Sequence, residues 1–247
     1  MIFSAPYRLF PDAGVDLHLH PDHLGDLRAS GLTDKAIRAA GVYSLAPRFI
    51  DKFFRNSAPP KIETAMCFPY RGGTFARIKL FPPLGKMKYA QPPGTSARLY
   101  MPFPIADGIL YVAEGEKKTL AAYQHGLNAA GIGGVWAWLS NGQPVDDLNL
   151  IDWDGRDVAV IPDSDVFQRP DLLRAIYALG RELREHSAAV TVARIPQDGQ
   201  GKVGLDDYLL SGGDIADLET HSLSERVFSS ARWWFGKWKL KHVLEAA

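Results

Sequence analysis

A single cysteine in 247 residues, Cys67, excludes an intrachain disulfide and any zinc ribbon, which needs several thiolates or imidazoles at paired spacing. Long apolar runs are also missing. DVAVIP at 157–162 is far too short to cross a bilayer, and the opening MIFSAPYRLFPDAG has neither a basic segment nor an extended apolar one. The sequence therefore carries no sign of a membrane or secretory role, and a reducing, cytoplasmic location is expected. No G-x-S-x-G elbow occurs, and GQGKVG at 199–204 lacks the hydroxyl residue and the spacing of a P-loop, so no helicase motor is expected. What is present, 46% hydrophobic and 23% charged residues, is the composition of a globular chain able to bury a full core.

The net charge is zero, but the charges are not evenly spread. Residues 61–105 hold seven Lys/Arg against one acid, and residues 106–215 hold nine against seventeen. A basic block next to an acidic block suits a surface that holds a polyanion beside a carboxylate site that holds cations. The alternative is two solvated faces of opposite sign.

Three textures follow one another along the chain. In residues 1–60, His23 to Ala29 reads as a short helix, and Thr33 as the N-cap of a second helix that Gly41 ends. This pair has the size of a helix-turn-helix, yet its weak basic character fits packing better than entry into a DNA groove. Residues 61–105 alternate apolar and polar positions around a Gly72-Gly73 turn, the pattern of a β-hairpin. Arg71, Arg77, Lys79, Lys86, Lys88 and Arg98 recur there among Phe75, Phe81, Tyr89 and Tyr100. Strand alternation puts Arg77 and Lys79 opposite Ile78 and Leu80, giving a one-sided basic sheet suited to phosphate backbone.

Residues 106–215 then alternate strands and helices: ILYVAEG, EKKTLAAYQHG, NAAGIGG, DVAVIPDSD, PDLLRAIYALGRELREHSA, AVTVARIP and GLDDYLLSGG. This order calls for an α/β domain, a parallel sheet covered by helices on both faces, with ligands at the carboxyl ends of its strands. Residues 216–247 read as a C-terminal helical tail whose Trp233, Trp234 and Trp238 dock on the body.

Glu114, Asp163 and Asp165 lie just beyond strand ends, where acids distant in sequence can converge. Hard oxygen ligands in low number, completed by water and substrate phosphate, suit Mg2+ or Mn2+. An acid cluster of this kind repels itself without metal, so Asp163→Asn is expected to leave stability nearly unchanged. VDLHLHPDH at 15–23 contains D-x-H-x-H, a possible metal-binding start for a phosphoesterase, but the remaining histidines sit in or beside expected helices and a polar loop leading into a helix fits better. Cys67, in a β-like segment, reads as a small core residue.

The succession strand, Glu114-Gly115, helix, strand, glycine turn, strand, Asp163-x-Asp165 resembles the Toprim domain of bacterial primases, topoisomerases and some nucleases. With FPYRGGTFARIKL and KMKYAQPPGTSARLYMP upstream and KVGLDDYL downstream, residues 65–210 resemble the DnaG-type primase core, closest to the forms carried by phages, plasmids and integrative elements. The resemblance implies a Toprim-like sheet preceded by a small basic β-rich subdomain and a short helical region. It implies primer synthesis on single-stranded DNA from nucleotides by metal-dependent nucleotidyl transfer, alongside a separate replicative helicase. A non-catalytic module binding single-stranded DNA or a replication partner, and a nuclease, are the alternatives. Glu114, Asp163 and Asp165 would be catalytic and hold the metal, joined by Asp206 and Asp207, while Arg71, Arg77, Lys79, Lys86, Lys88, Lys117 and Lys118 would hold nucleic acid or nucleotide. One departure stands out: Lys118 occupies a position where many Toprim domains have an acid.

Overall fold

The computed structural model describes residues 19–222, apart from positions 46, 60, 198 and 200. The expected C-terminal helix and its tryptophans lie outside the described residues. The chain divides into two compact units, residues 1–96 with 101–103 and residues 97–100 with 104–247.

The first unit begins with α1 (Pro21–Ala29), which His20 caps by accepting the Asp22 N–H at its ring Nδ1. Thr33 caps α2 (Asp34–Ala39), its hydroxyl accepting the Ala36 N–H. β1 (Tyr43–Leu45) and α3 (Pro47–Phe53) lead into a hairpin of β2 (Thr64–Pro69) and β3 (Ala76–Leu84), followed by β4 (Met87–Ala90). The four strands form one antiparallel sheet in chain order. Gly72 and Gly73 turn the hairpin with φ of 90° and 68°, the left-handed conformation that favours glycine. Ile78 and Leu80 are buried, packing with Tyr43, Ile50, Phe53 and Cys67, while Arg77 and Lys79 stand on the other face. Burial pushes the Cys67 thiol up to about 12, so it is an inert core residue. Asp16 and His18 of the D-x-H-x-H motif lie outside the described residues; the histidines that follow, His20 and His23, are described. The His23 imidazole is buried between the Ser44 and Thr64 hydroxyls at 2.7 and 2.9 Å, and burial lowers its pKa to about 4.

The second unit holds a six-stranded sheet ordered β12-β11-β10-β6-β7-β5. In chain order its elements are β5 (Leu99–Tyr100), β6 (Leu110–Glu114), α4 (Glu116–Gln124), β7 (Ala129–Ile132), the small hairpin β8 (Leu139–Ser140) and β9 (Gln143–Pro144), β10 (Asp157–Ile161), α5 (Pro170–Glu185), β11 (Ala189–Arg194), α6 (Leu205–Leu210) and β12 (Glu219–Ser222). The four central strands are parallel, and β5 and β12 run antiparallel at the edges. Strands covered on both faces read as unbroken apolar runs, as VAVI of β10 does. One face is packed by α5, whose Leu173, Ile176, Leu179 and Leu183 recur at helical spacing and are each no more than 1% exposed. Each such side chain stabilises the fold by about 1.5–3 kcal/mol.

The order of strands fixes the position of the site. From β6 the chain moves through α4 to β7, then returns to β10 on the other side of β6 and moves through α5 to β11. Right-handed crossovers in opposite directions put α4 and α5 on opposite faces. The direction reverses between β6 and β10, and the carboxyl ends of these two neighbours form the crevice in which open α/β sheets bind ligands.

Candidate active site at the carboxyl ends of two strands

Glu114 is the last residue of β6, and the chain turns immediately into α4 through Gly115, whose φ of 101° suits glycine. The turn is tied down on two sides: the Gly115 N–H donates to the Ile132 carbonyl at 2.7 Å, and the Thr119 hydroxyl donates to the Gly115 carbonyl at 2.8 Å. One helical turn later, Lys118 folds back over the strand end. Its ammonium donates to the Glu114 carbonyl at 3.1 Å and lies 2.9 Å from Asp163 Oδ1.

Asp163, two residues past β10, is 1% exposed and carries a second ammonium, that of Lys202. Lys202 reaches it because its loop is stitched to the Asp163 segment. The Ser164 N–H donates to the Val203 carbonyl at 3.0 Å, and the Val203 N–H donates to the Ser164 hydroxyl at 2.9 Å. Gly204 closes over the pair. A Cβ there would meet Lys118 Cε at 2.5 Å and Asp206 Oδ1 at 2.6 Å, so any larger residue would have to push these side chains aside. Burial acts to lower the Lys202 pKa, but the hydrogen bond and charge of Asp163 prevail and hold it above the usual lysine range.

The remaining acids differ in availability. Burial, then the neighbouring Asp163 carboxylate, raises the Glu114 pKa, with Lys118 and Lys202 opposing and Asp165 adding to the rise. Asp165 turns one oxygen towards Arg169 at 3.7 Å, while its Oδ1 is buried with no hydrogen-bond partner. Asp206 is 6% exposed beside Gly204. Asp207 is exposed and accepts the Gly204 N–H at 2.9 Å, which makes it the cap of α6.

These positions revise the expected ligand set. Among the described residues no three His, Cys, Asp or Glu side chains gather as a metal-ligating group. Asp163 is already neutralised by two ammonium groups, and Asp207 serves its own helix. Mg2+ is commonly held by only one or two carboxylates, with water and substrate phosphates completing the shell. Glu114 and Asp165, whose Oδ1 is buried with no hydrogen-bond partner, are the two carboxylates here that could serve as such ligands. The expectation that Asp163→Asn is structurally neutral is also revised, because this carboxylate is paired and not repelled.

The basic residues of the first unit separate in the same way. Lys79 is bound to Asp26 at 2.6 Å, both side chains largely buried, so its ammonium already has an internal partner. Arg77 lies over the Tyr89 ring at 5.2 Å. Arg71, Lys86 and Lys88 are exposed. Arg98, expected in the basic sheet, belongs to the second unit and donates to both oxygens of the buried Asp147 at 2.7 and 2.8 Å. Lys117 is half-buried on α4. Lys202 was not singled out by its sequence context, since GKVG there resembles an incomplete P-loop. Its signal is a lysine two residues ahead of the glycine that opens α6.

Residues 106–216 match a family described as a domain of unknown function (DUF3854). No curated protein matches the sequence. Among solved structures, the chain is similar to the zinc-binding and RNA polymerase domains of the Aquifex aeolicus primase, with a TM-score of 0.61 and 14% identity over 87% of this chain and 60% of that one. It is also similar to a DNA primase domain from Pseudomonas aeruginosa (TM-score 0.53, 16% identity, 84% of this chain, 74% of that one). A third similar structure is a DnaG primase catalytic domain bound to single-stranded DNA (TM-score 0.52, 16% identity, 92% of this chain, 74% of that one). The chain thus spans three fifths of the A. aeolicus fragment. At these identities the likeness is one of fold, and the fold is that of the DnaG-type primase core.

Proposed function

We propose that this chain is a primase-type catalytic core of the Toprim kind carried by phages, plasmids and integrative elements, making short primers on single-stranded DNA. The observation that carries the reading is the meeting of Glu114 and Asp163 at the carboxyl ends of adjacent strands, on either side of the point where the sheet reverses direction. Residues 61–105 are the template-holding part and residues 106–215 the catalytic part. A separate replicative helicase is the partner this activity requires, and the cytoplasm its location.

In nucleotidyl transfer, a 3′-hydroxyl oxygen forms a bond to the α-phosphorus of a nucleoside triphosphate, the α–β phosphoanhydride breaks and pyrophosphate leaves. The proton of the attacking hydroxyl needs an acceptor, and Glu114 is a carboxylate whose proton affinity is raised by burial and by Asp163. As the alternative to accepting the proton, Glu114 would join Asp165 in holding Mg2+ or Mn2+, which when bound aligns phosphates and offsets the charge of the transferring group. Lys118 and Lys202 set fixed positive charge beside them, suited to the triphosphate.

A second reading, a non-catalytic module that binds single-stranded DNA or a replication partner, is favoured by one observation. Asp163 is neutralised within the protein by Lys118 and Lys202, where a metal-dependent centre would use a free carboxylate. One gel separates the readings. Single-stranded template, labelled nucleotides and Mg2+ or Mn2+ should give short extension products that disappear in Glu114→Gln. Binding without extension would leave the module, and shortened template would identify a nuclease.

A further inference from the structure

On the side of β6 away from β10, the carboxyl end of β7 carries a feature that no acid or lysine explains. Ile132 is level with Glu114 in the sheet, and the chain leaves it through Gly133-Gly134 into a tight turn closed by the Ala137 N–H on the Gly134 carbonyl at 2.8 Å and the Leu139 N–H on the Trp136 carbonyl at 3.0 Å. Val135 and Trp138 are 7% and 3% exposed and pin the turn to the body, but Trp136 between them keeps 40% of its surface exposed. Elsewhere among the described residues the tryptophans are interior: Trp138 is buried, and Trp153 is 4% exposed and donates its indole N–H to the Leu148 carbonyl at 2.7 Å. The Arg174 guanidinium lies over the Trp136 ring, 5.8 Å from its centroid. Arg174 is on α5, and α5 covers the face opposite α4, so the Trp136–Arg174 stack and Lys118 flank the strand ends from opposite faces.

An indole that a tight turn presents to solvent beside buried anchors loses little conformational freedom when it binds, and the guanidinium stacked on it holds the ring in place. We infer that Trp136, backed by Arg174, is a stacking platform for a nucleobase, either of the single strand or of the incoming nucleotide, at the edge of the acid crevice. The inference rests on the nucleic-acid reading above and adds to it the surface that recognises the base rather than the phosphate. Stacking is indifferent to which base is presented, because every base has a π-face, so the platform grips sequence without selecting it.

The test uses the full chain and two labelled probes of equal length and charge, oligothymidylate and an abasic deoxyribose-phosphate oligomer, titrated by fluorescence anisotropy at one salt concentration. Trp136→Ala should weaken oligothymidylate binding by roughly 5- to 150-fold, the effect of removing one stacked base, and leave the abasic oligomer unchanged. Trp136→Phe should retain most of the affinity. A parallel titration with a deoxynucleoside triphosphate against tripolyphosphate assigns the source: a loss confined to the triphosphate arm places the incoming nucleotide on the indole, and a loss confined to the oligomer places the strand there. Equal affinities of wild type and Trp136→Ala for every base-bearing probe overturn the platform while leaving the nucleic-acid reading intact. Equal weakening with and without bases also overturns it. A wild-type chain that binds neither oligomer and neither phosphate probe overturns the nucleic-acid reading, and the platform with it.

Discussion

Replacing Asp163 by asparagine removes the charge that two lysines share. The geometry predicts a substantial loss of stability, because Asp163 is 1% exposed and Lys118 only 19% exposed. Deleting one member of a buried ion pair costs about 3–5 kcal/mol, mostly for the charge left behind without a partner. Two features reduce that figure here. Lys202 is half exposed and can turn its ammonium to water at little cost. Glu114 lies close enough for its carboxylate to compensate Lys118 in part. A loss of about 2–3 kcal/mol remains, which lowers Tm by roughly 4–12 °C for a chain of this size. The double variant Asp163→Asn/Lys118→Met leaves neither charge stranded and should recover much of the loss, a coupling that a double-mutant cycle from chemical denaturation would measure. Thermal unfolding of the single variants, each run with and without chelator, completes the assay. If Asp163→Asn is as stable as the wild type, or more stable, the carboxylate is not held by lysines in solution, and the account of the site as an internally neutralised one is wrong.

Three further outcomes follow from groups already described. The Glu114 carboxyl has a folded pKa above its ordinary value, so the folded state binds its proton more tightly and stability falls as pH rises from about 4.5 through the raised value; Glu114→Gln should abolish that segment of the stability-against-pH curve, and superimposable curves would refute the burial assigned to it. His23 is the opposite case: with its pKa lowered to about 4, the stability it contributes is present above pH 6.5 and lost as pH falls towards 4, by up to about 3 kcal/mol, and His23→Gln should show no such acid loss in Tm between those limits. In the first unit, the Arg71→Ala, Lys86→Ala, Lys88→Ala triple variant should reduce the salt dependence of single-stranded DNA binding by roughly 0.7 for each phosphate no longer neutralised, whereas Lys79→Met should not, since Asp26 already occupies that ammonium; equal effects would show that the ion pair opens for DNA.

The parts of the fold visible in the sequence were those with a period. β10 and β11 declared themselves as apolar runs and α5 as an amphipathic repeat, and Thr33 announced α2 through its hydroxyl, because in each case the physical requirement is met by residues adjacent in the chain. The antiparallel edges were not visible. β5 is two residues long and β12, ETHS, has no buried residue, so neither carries a pattern; each is a strand only because a neighbour, β7 or β11, offers it a ladder. Arg77 and Lys79 shared a face as alternation required, but alternation cannot say what faces them. Asp26, 53 residues away on α1, removes Lys79 from the basic surface.

The same limit governs the candidate site. Glu114, Asp163 and Asp165 could be picked out because they follow apolar runs, and position after a strand is a local property. Whether a carboxylate there is free or neutralised is not local: it depends on which cation the fold returns to it. Lys118 shares a helix turn with the Glu114 carbonyl, so its approach could be read as a departure from an acid at that place. Lys202 is brought to Asp163 only by the two hydrogen bonds between Ser164 and Val203 and by the absence of a side chain at Gly204. A serine hydroxyl, a valine backbone and a glycine carry no charge signal, yet together they decide how much of the acid cluster is left for a cation. Substituting Gly204 by alanine should therefore displace Lys118 and Asp206, and in doing so change the charge balance at Asp163 without touching an ionisable residue.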